Sequence, residues 1–254
     1  MSMNPLTLLY HEVLFRPLLN LLVGITNVLP GHAIGWSIIV VTLIVRLILL
    51  PFSLHHARQM QRNQEKMSGM QEKLRAIKKK HKQDPSKQAE ETMRLYREVG
   101  LNPASGCLPL LIQLPILIAL YRVFLIGLSP ETFQYLYGFI AQPTHINFTF
   151  ASIDLTTPSL VLGIIAGAAQ FIQMKWLSPQ PAAAPMPGGS EDTAAMMSSM
   201  QRNMMYIFPV MTVFISLQLP AALALYWAIS TLFGMGQQYA IKRTMHLQAN
   251  PPAI

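Results

Sequence analysis

The stretch VVTLIVRLILLPFS, residues 40–53, places one full positive charge, Arg46, inside an apolar run. A guanidinium offers five N–H donors and no acceptor, so its chemistry is capture of carboxylates and carbonyls, with no part in proton transfer. If this run crosses a bilayer, burying the charge costs roughly 2.5–3.5 kcal/mol on insertion scales. Three arrangements offset such a cost. The side chain snorkels to headgroups, since it lies about seven residues, roughly 10 Å, from the cytoplasmic end of its helix. It bonds a backbone carbonyl of a neighbouring helix. Or it sits in a water-filled cavity among the helices, open to the cytosol.

Other polar groups recur at the same depth. Thr42 precedes Arg46 by one turn on the same face. Gln113, Gln170, Gln173 and Ser216 lie in other apolar runs, and Tyr226 and Trp227 are suited to lining a cavity. Singly, each reads as a helix-packing hydrogen bond of about 1 kcal/mol. Together with a lone arginine they suggest a wet groove that attracts an acidic or polar polypeptide segment. Of the 11 acidic residues none falls in an apolar run long enough to span: Glu65 to Glu98 holds most, and Glu12, Glu131, Asp154, Glu191 and Asp192 the rest. Arg46 has no evident counter-ion, and no acid–base pair suggests an enzyme, so no catalytic residue is assigned. Nor is there a metal or cofactor site: His55 and His56 are adjacent, His11 and His32 read as interfacial, and no GxxxxGK[ST] string is present.

A membrane is the setting that composition supports. The 254 residues are 52% hydrophobic and 12% charged, about half the charged share usual in soluble domains. The apolar residues come in blocks long enough for roughly 30 Å of hydrocarbon. The single cysteine, Cys107, excludes an internal disulfide framework.

The expected fold is an all-α polytopic membrane protein with five spans, at residues 35–53, 105–126, 158–177, 204–219 and 220–241. The last two come from dividing one apolar stretch at Pro220: residues 204–241 as one helix would extend about 57 Å, nearly twice the hydrocarbon thickness. Orientation follows from the basic residues. Of 19 Lys and Arg, most lie between Arg58 and Arg97, and none between Val123 and Met174. The segments 54–104, 178–203 and 242–254 are therefore expected in the cytoplasm, and the N-terminus and the 127–157 loop outside.

Residues 1–32 read as an N-terminal helix lying in the outer interface, because His11, Glu12, Arg16 and Asn20 suit a spanning helix poorly. A sixth span there is the other reading, since Leu18 to Leu29 is quite apolar. No basic leader or small-residue cleavage site marks a signal peptide. Residues 33–254 form the core. Its 54–104 segment reads as a helical hairpin, with Met60, Met67, Met70, Leu74 and Ile77 on one apolar face. Asp84 and Pro85 suit the start of its second arm, and Gly100 its end. The Pro/Ala/Gly-rich 178–203 segment reads as a flexible loop.

Four stretches in order then carry a family resemblance: LFRPLLNLLV, IVRLILLPFS, NPASGCLPLLIQLPILIALYRVF and YIFPVMTVFISLQLPAALALYWAISTLFGMGQQYAIKR. With a basic hairpin after the first span, the chain resembles the YidC/Oxa1/Alb3 membrane protein insertases from about Leu9 to Arg243. The resemblance implies a five-helix insertase core and a hydrophilic groove closed on the outer side. Arg46 matches the family's groove arginine, and Thr42, Gln170 and Trp227 match positions that line the groove or meet substrate. It also implies a hairpin that receives substrate, and nascent membrane proteins and the bilayer as partners. The Sec translocon, the ribosome and the receptor for the signal recognition particle are further partners, and a monomer suffices. The expected function is insertion without nucleotide hydrolysis, in a bacterial cytoplasmic membrane. A large outer domain, a lipoprotein cysteine and a long basic tail, each found in some members, do not match this sequence. The alternatives are a small-solute or anion transporter or channel, and a non-catalytic assembly factor.

Overall fold

The computed structural model describes residues 5–100, 108–125, 130–177 and 205–249. Its helices are α1 (Pro5–Tyr10), α2 (Arg16–Val28), α3 (Ile34–Ile48), α4 (Leu50–Gly69), α5 (Gln71–Lys80), α6 (Pro85–Glu98), α7 (Leu108–Leu125), α8 (Leu160–Leu177), α9 (Met205–Ser216) and α10 (Ala221–Ala249). The described strands are a two-stranded antiparallel pair, β1 (Thr149–Phe150) and β2 (Ile153–Asp154). The chain divides into two compact units: Met1–Pro51 with Pro109–Gln170 and Pro209–Gly236, and Phe52–Leu108 with Phe171–Phe208 and Gln237–Ile254.

The first unit holds the larger core. Leu19, Leu22 and Val23 of α2, Ile34, Ile38 and Val41 of α3, and Ala119, Leu120 and Val123 of α7 are buried in it, with Ala221 to Tyr226 of α10. In α2, α3 and α7 the spacing puts each set on one helical face, whereas the six consecutive positions of α10 are buried all round the helix, and close packing of these side chains holds the helices together. A five-residue π-turn, His11–Phe15, joins α1 to α2. The polar residues of this N-terminal helix are satisfied by protein. Arg16 Nη1 donates to Glu12 Oε2 at 3.1 Å and Arg16 Nε to the Tyr135 carbonyl at 3.1 Å. Asn20 Nδ2 donates to the Arg16 and Tyr135 carbonyls, and its Oδ1 accepts from Tyr137 N.

Thr7–Val28 is also the one described helix long and apolar enough by itself to cross a bilayer. Ile34–Ile48 and Leu50–Gln59 qualify only as a broken pair, and Gln113–Phe124, Leu160–Lys175 and Met205–Ser216 are shorter apolar helices. The break at Leu49 has a local cause. Pro51 lacks an N–H, so the Leu47 carbonyl loses the donor that a continuous helix would give it, and the Leu49 N–H closes α3 on the Val45 carbonyl at 3.0 Å. The 35–53 stretch is therefore two helices. Pro220 likewise separates α9 from α10, with a turn in which Gln218 N donates to Ile215 O at 3.0 Å.

Two close approaches shape this unit. A Cβ on Gly35 would come within 2.4 Å of the Phe150 ring, so the β1–β2 ribbon lies directly on the start of α3. On α8, Gly163 and Gly167 stand one turn apart, and a Cβ on Gly167 would meet Val213 at 2.6 Å. Small residues at this spacing let two helix backbones approach closely, here α8 and α9.

In the second unit, α5 and α6 pack as antiparallel arms. Met70, Leu95 and Tyr96 are buried, with Leu74, Ile77, Met93 and Val99 against them. Met70, Leu74 and Ile77 thus form the expected apolar face, while the side chains of Met60 and Met67 lie outside the described residues. Asp84 caps α6 by accepting from Lys87 N at 3.0 Å, and Pro85 follows at the first turn. The arm ends at Glu98, and Gly100 takes φ +66°, where a side chain is strained. The 178–203 segment and Cys107 lie outside the described residues.

Candidate functional site: a cation held by neutral partners

Arg46 occupies the last turn of α3, where a cation suits the helix dipole. Its Nε donates to Ser230 Oγ of α10 at 2.8 Å, and its Nη2 donates to the same hydroxyl and to Gln113 Oε1 of α7, the latter at 3.3 Å. The amide nitrogen of Gln113 in turn bonds the hydroxyl of Tyr226, one turn before Ser230. Three helices distant in sequence thus converge on one guanidinium. Tyr226 and Ser230 are buried, and Arg46 and Gln113 are half-buried.

Every protein acceptor of Arg46 among the described residues is uncharged. The ion pairs involve His11, Glu12, Arg16, Asp84, Lys87, Glu91, Arg94 and Glu98, and none includes Arg46. None of its side-chain bonds among the described residues goes to a backbone carbonyl. Both N–H groups of Nη1 have no protein partner among the described residues.

The other candidates divide. Gln113 joins Arg46 directly, and Tyr226 joins it through Gln113. Thr42 does not: it is 1% exposed and its hydroxyl donates to the Ile38 carbonyl at 2.6 Å, its own helix one turn back. Gln170 of α8 accepts from Thr212 Oγ1 of α9 at 2.5 Å, and Ser216 donates to the Thr212 carbonyl at 2.7 Å. That buried pair serves α8–α9 packing, the bland role expected of such groups. Trp227 is half-buried on α10, and Gln173 is half-buried in the second unit. Sequence reasoning missed Ser230. The available signal was its place four residues after Tyr226, which puts both on one helical face.

Apolar helices organised around a polar network at one end of α3 fit a helical membrane protein. Comparison with known proteins narrows this. The model of the 60Kd inner membrane protein family matches residues 25–249. The membrane protein insertase YidC of Fusobacterium nucleatum is 36% identical over 92% of this chain and 98% of its own length. The YidC insertase of Clostridium tetani is 37% identical over 86% of this chain and 85% of its own, and the insertase MisCB of Bacillus subtilis is 36% identical over 96% and 84%. A crystal structure of active YidC insertase with its first transmembrane domain resolved aligns with TM-score 0.56 and 31% identity, over 91% of this chain and 46% of that one. The chain belongs to the YidC family of membrane protein insertases. It is a membrane protein, and its relatives are named for insertion and not for transport of solutes or for an enzymatic reaction.

Proposed function

We propose that this chain receives hydrophilic segments of nascent membrane proteins in a groove built around Arg46 and releases their apolar segments into the bilayer. The observation that carries the reading is the Arg46 environment: a half-buried cation supplied with hydrogen-bond acceptors but with no carboxylate among the described residues. Moving a polar tail through hydrocarbon strips water from its charges and backbone, at several kcal/mol for each unsatisfied group. A fixed cation part-way along that path offers the tail a charge-assisted hydrogen bond of about 1.5–3 kcal/mol. Hydrophobic partitioning of the following apolar segment then draws the client into lipid.

In this reading five core helices span the membrane, with the N-terminus outside and the C-terminus in the cytoplasm. The 54–104 hairpin meets the client first, and the N-terminal helix lies along the outer interface. Gln113, Tyr226 and Trp227 line the groove beside Arg46. Thr42, Gln170 and Ser216 stiffen its walls. A single copy suffices, with the Sec translocon, ribosome and signal-recognition-particle receptor as further partners.

The experiment is insertion of a single-span client bearing a short acidic translocated tail, scored by protease protection. Membrane vesicles come from a strain that depends on this chain as its insertase. Arg46→Ala lowers protection about tenfold, the factor that roughly 1.4 kcal/mol represents, and Arg46→Lys retains most of it. Equal insertion by all three removes the cation from the mechanism.

A further inference from the structure

The proposal rests on the reading of Arg46 as the docking charge and concerns what makes it selective. Two demands on such an arginine conflict. It must be held in place, because a flexible side chain loses rotamer freedom whenever it binds. Yet the usual way to hold a buried arginine, a bidentate carboxylate, discharges it. The described structure meets the first demand without the second. Ser230 Oγ takes the Nε and Nη2 hydrogens, Gln113 Oε1 takes Nη2 as well, and the Gln113 amide is itself oriented by the Tyr226 hydroxyl. These acceptors are neutral, and Nη1 keeps both N–H groups without a protein partner among the described residues.

We infer that Ser230 and Gln113 are specificity-determining positioning residues: they fix the Arg46 guanidinium through neutral acceptors, leaving its charge and its Nη1 edge for a carboxylate of the incoming segment. The arrangement favours acidic over neutral tails because the uncompensated charge gains most from an anion. Were either position a carboxylate, the chain would carry its own competitor. Gln113→Glu is the most telling change, since it alters shape little. It would strengthen the contact with Arg46 and steady the fold while blunting selectivity. A merely structural role predicts the reverse for function, because a better-held arginine would work at least as well.

The test uses the full chain in vesicles of the dependent strain. Two clients differ only in two tail residues, Asp in one and Asn in the other. The readout is the ratio of acidic-tail to neutral-tail protection. Ser230→Ala is expected to lower the ratio at least about tenfold, the loss of hydrogen bonds to a charged group, and Ser230→Thr, which keeps the hydroxyl, to restore most of it. Gln113→Glu lowers the ratio while the melting temperature stays level or rises. If Ser230→Ala fails to fold, the near-isosteric Gln113→Glu decides alone. Should Arg46→Ala leave the ratio at the wild-type value, the docking role of Arg46 fails and this inference with it. Should Arg46→Ala lower the ratio while Gln113→Glu, or a folded Ser230→Ala, matches wild type, the docking role stands and the positioning inference is overturned.

Discussion

At the scale of single residues, the chain spends its polar side chains in two ways. Most hydroxyls and amides close on nearby backbone or on one partner: Thr42 on Ile38 O, Thr26 on Leu22 O and Ser37, Gln170 on Thr212. Arg46 instead gathers two helices to itself, and Gln113 extends that reach to Tyr226. Arg46 and its apolar setting were legible in the sequence because a charge in an apolar run is conspicuous. Its principal partner was not, because Ser230 is 184 residues away and a serine in an apolar helix carries no signal of its own. The same holds for Gly35. Its proximity to Phe150 depends on a turn more than 100 residues later, yet the ring stands so close that a Cβ added at Gly35 would collide with it. Gly35→Ala is expected to cost about 1–3 kcal/mol through overpacking of a filled site, read as a lower melting temperature in detergent.

At the scale of elements, proline and capping chemistry behaved as their local physics requires. Pro51 and Pro220 each fall where a helix stops or restarts, and Asp84 and Gly100 bound α6. These signals act over a few residues, so they can be read without knowing the fold. The Asp84 carboxylate accepts the Lys87 N–H, and this bond, with the Lys87 charge behind it, holds its carboxyl below the ordinary range. A depressed folded-state pKa means that the cap stabilises α6 fully above the ordinary carboxylate pKa and is lost as pH falls through the lower, folded value. Hydrogen exchange at the Lys87 amide should therefore quicken only below the ordinary Asp range, and in Asp84→Ala it should be fast and independent of this titration. In the N-terminal helix, Arg16 and Asn20 bond the backbone of residues 135–137, partners that no spacing along the helix encodes.

At the scale of the whole molecule, the uneven placement of basic residues predicts orientation. Lys79 and its neighbours form an exposed basic helix, α5, whereas Phe139, 82% exposed, lies in a segment without lysine or arginine. In a Cys107→Ser background, Phe139→Cys is expected to react with an impermeant maleimide added outside intact cells. Lys79→Cys should react only in inside-out vesicles. Labelling of both from one side would overturn the proposed topology. Family membership bears on the same scale, since insertases of similar length match nearly end to end.

What the sequence determined by itself was what local and additive physics encodes: apolar blocks, charge asymmetry, helix caps and breaks, a hairpin face, and an arginine too costly to be accidental. These need only neighbours three or four residues away, or sums over segments. What the tertiary structure decided was which polar groups meet. Arg46, Gln113, Tyr226 and Ser230 come from three helices, and their convergence is set by how the apolar faces of α3, α7 and α10 pack. A hydrogen bond needs its partners within about 3 Å and suitably aligned, a condition that residue type and spacing along the chain do not determine.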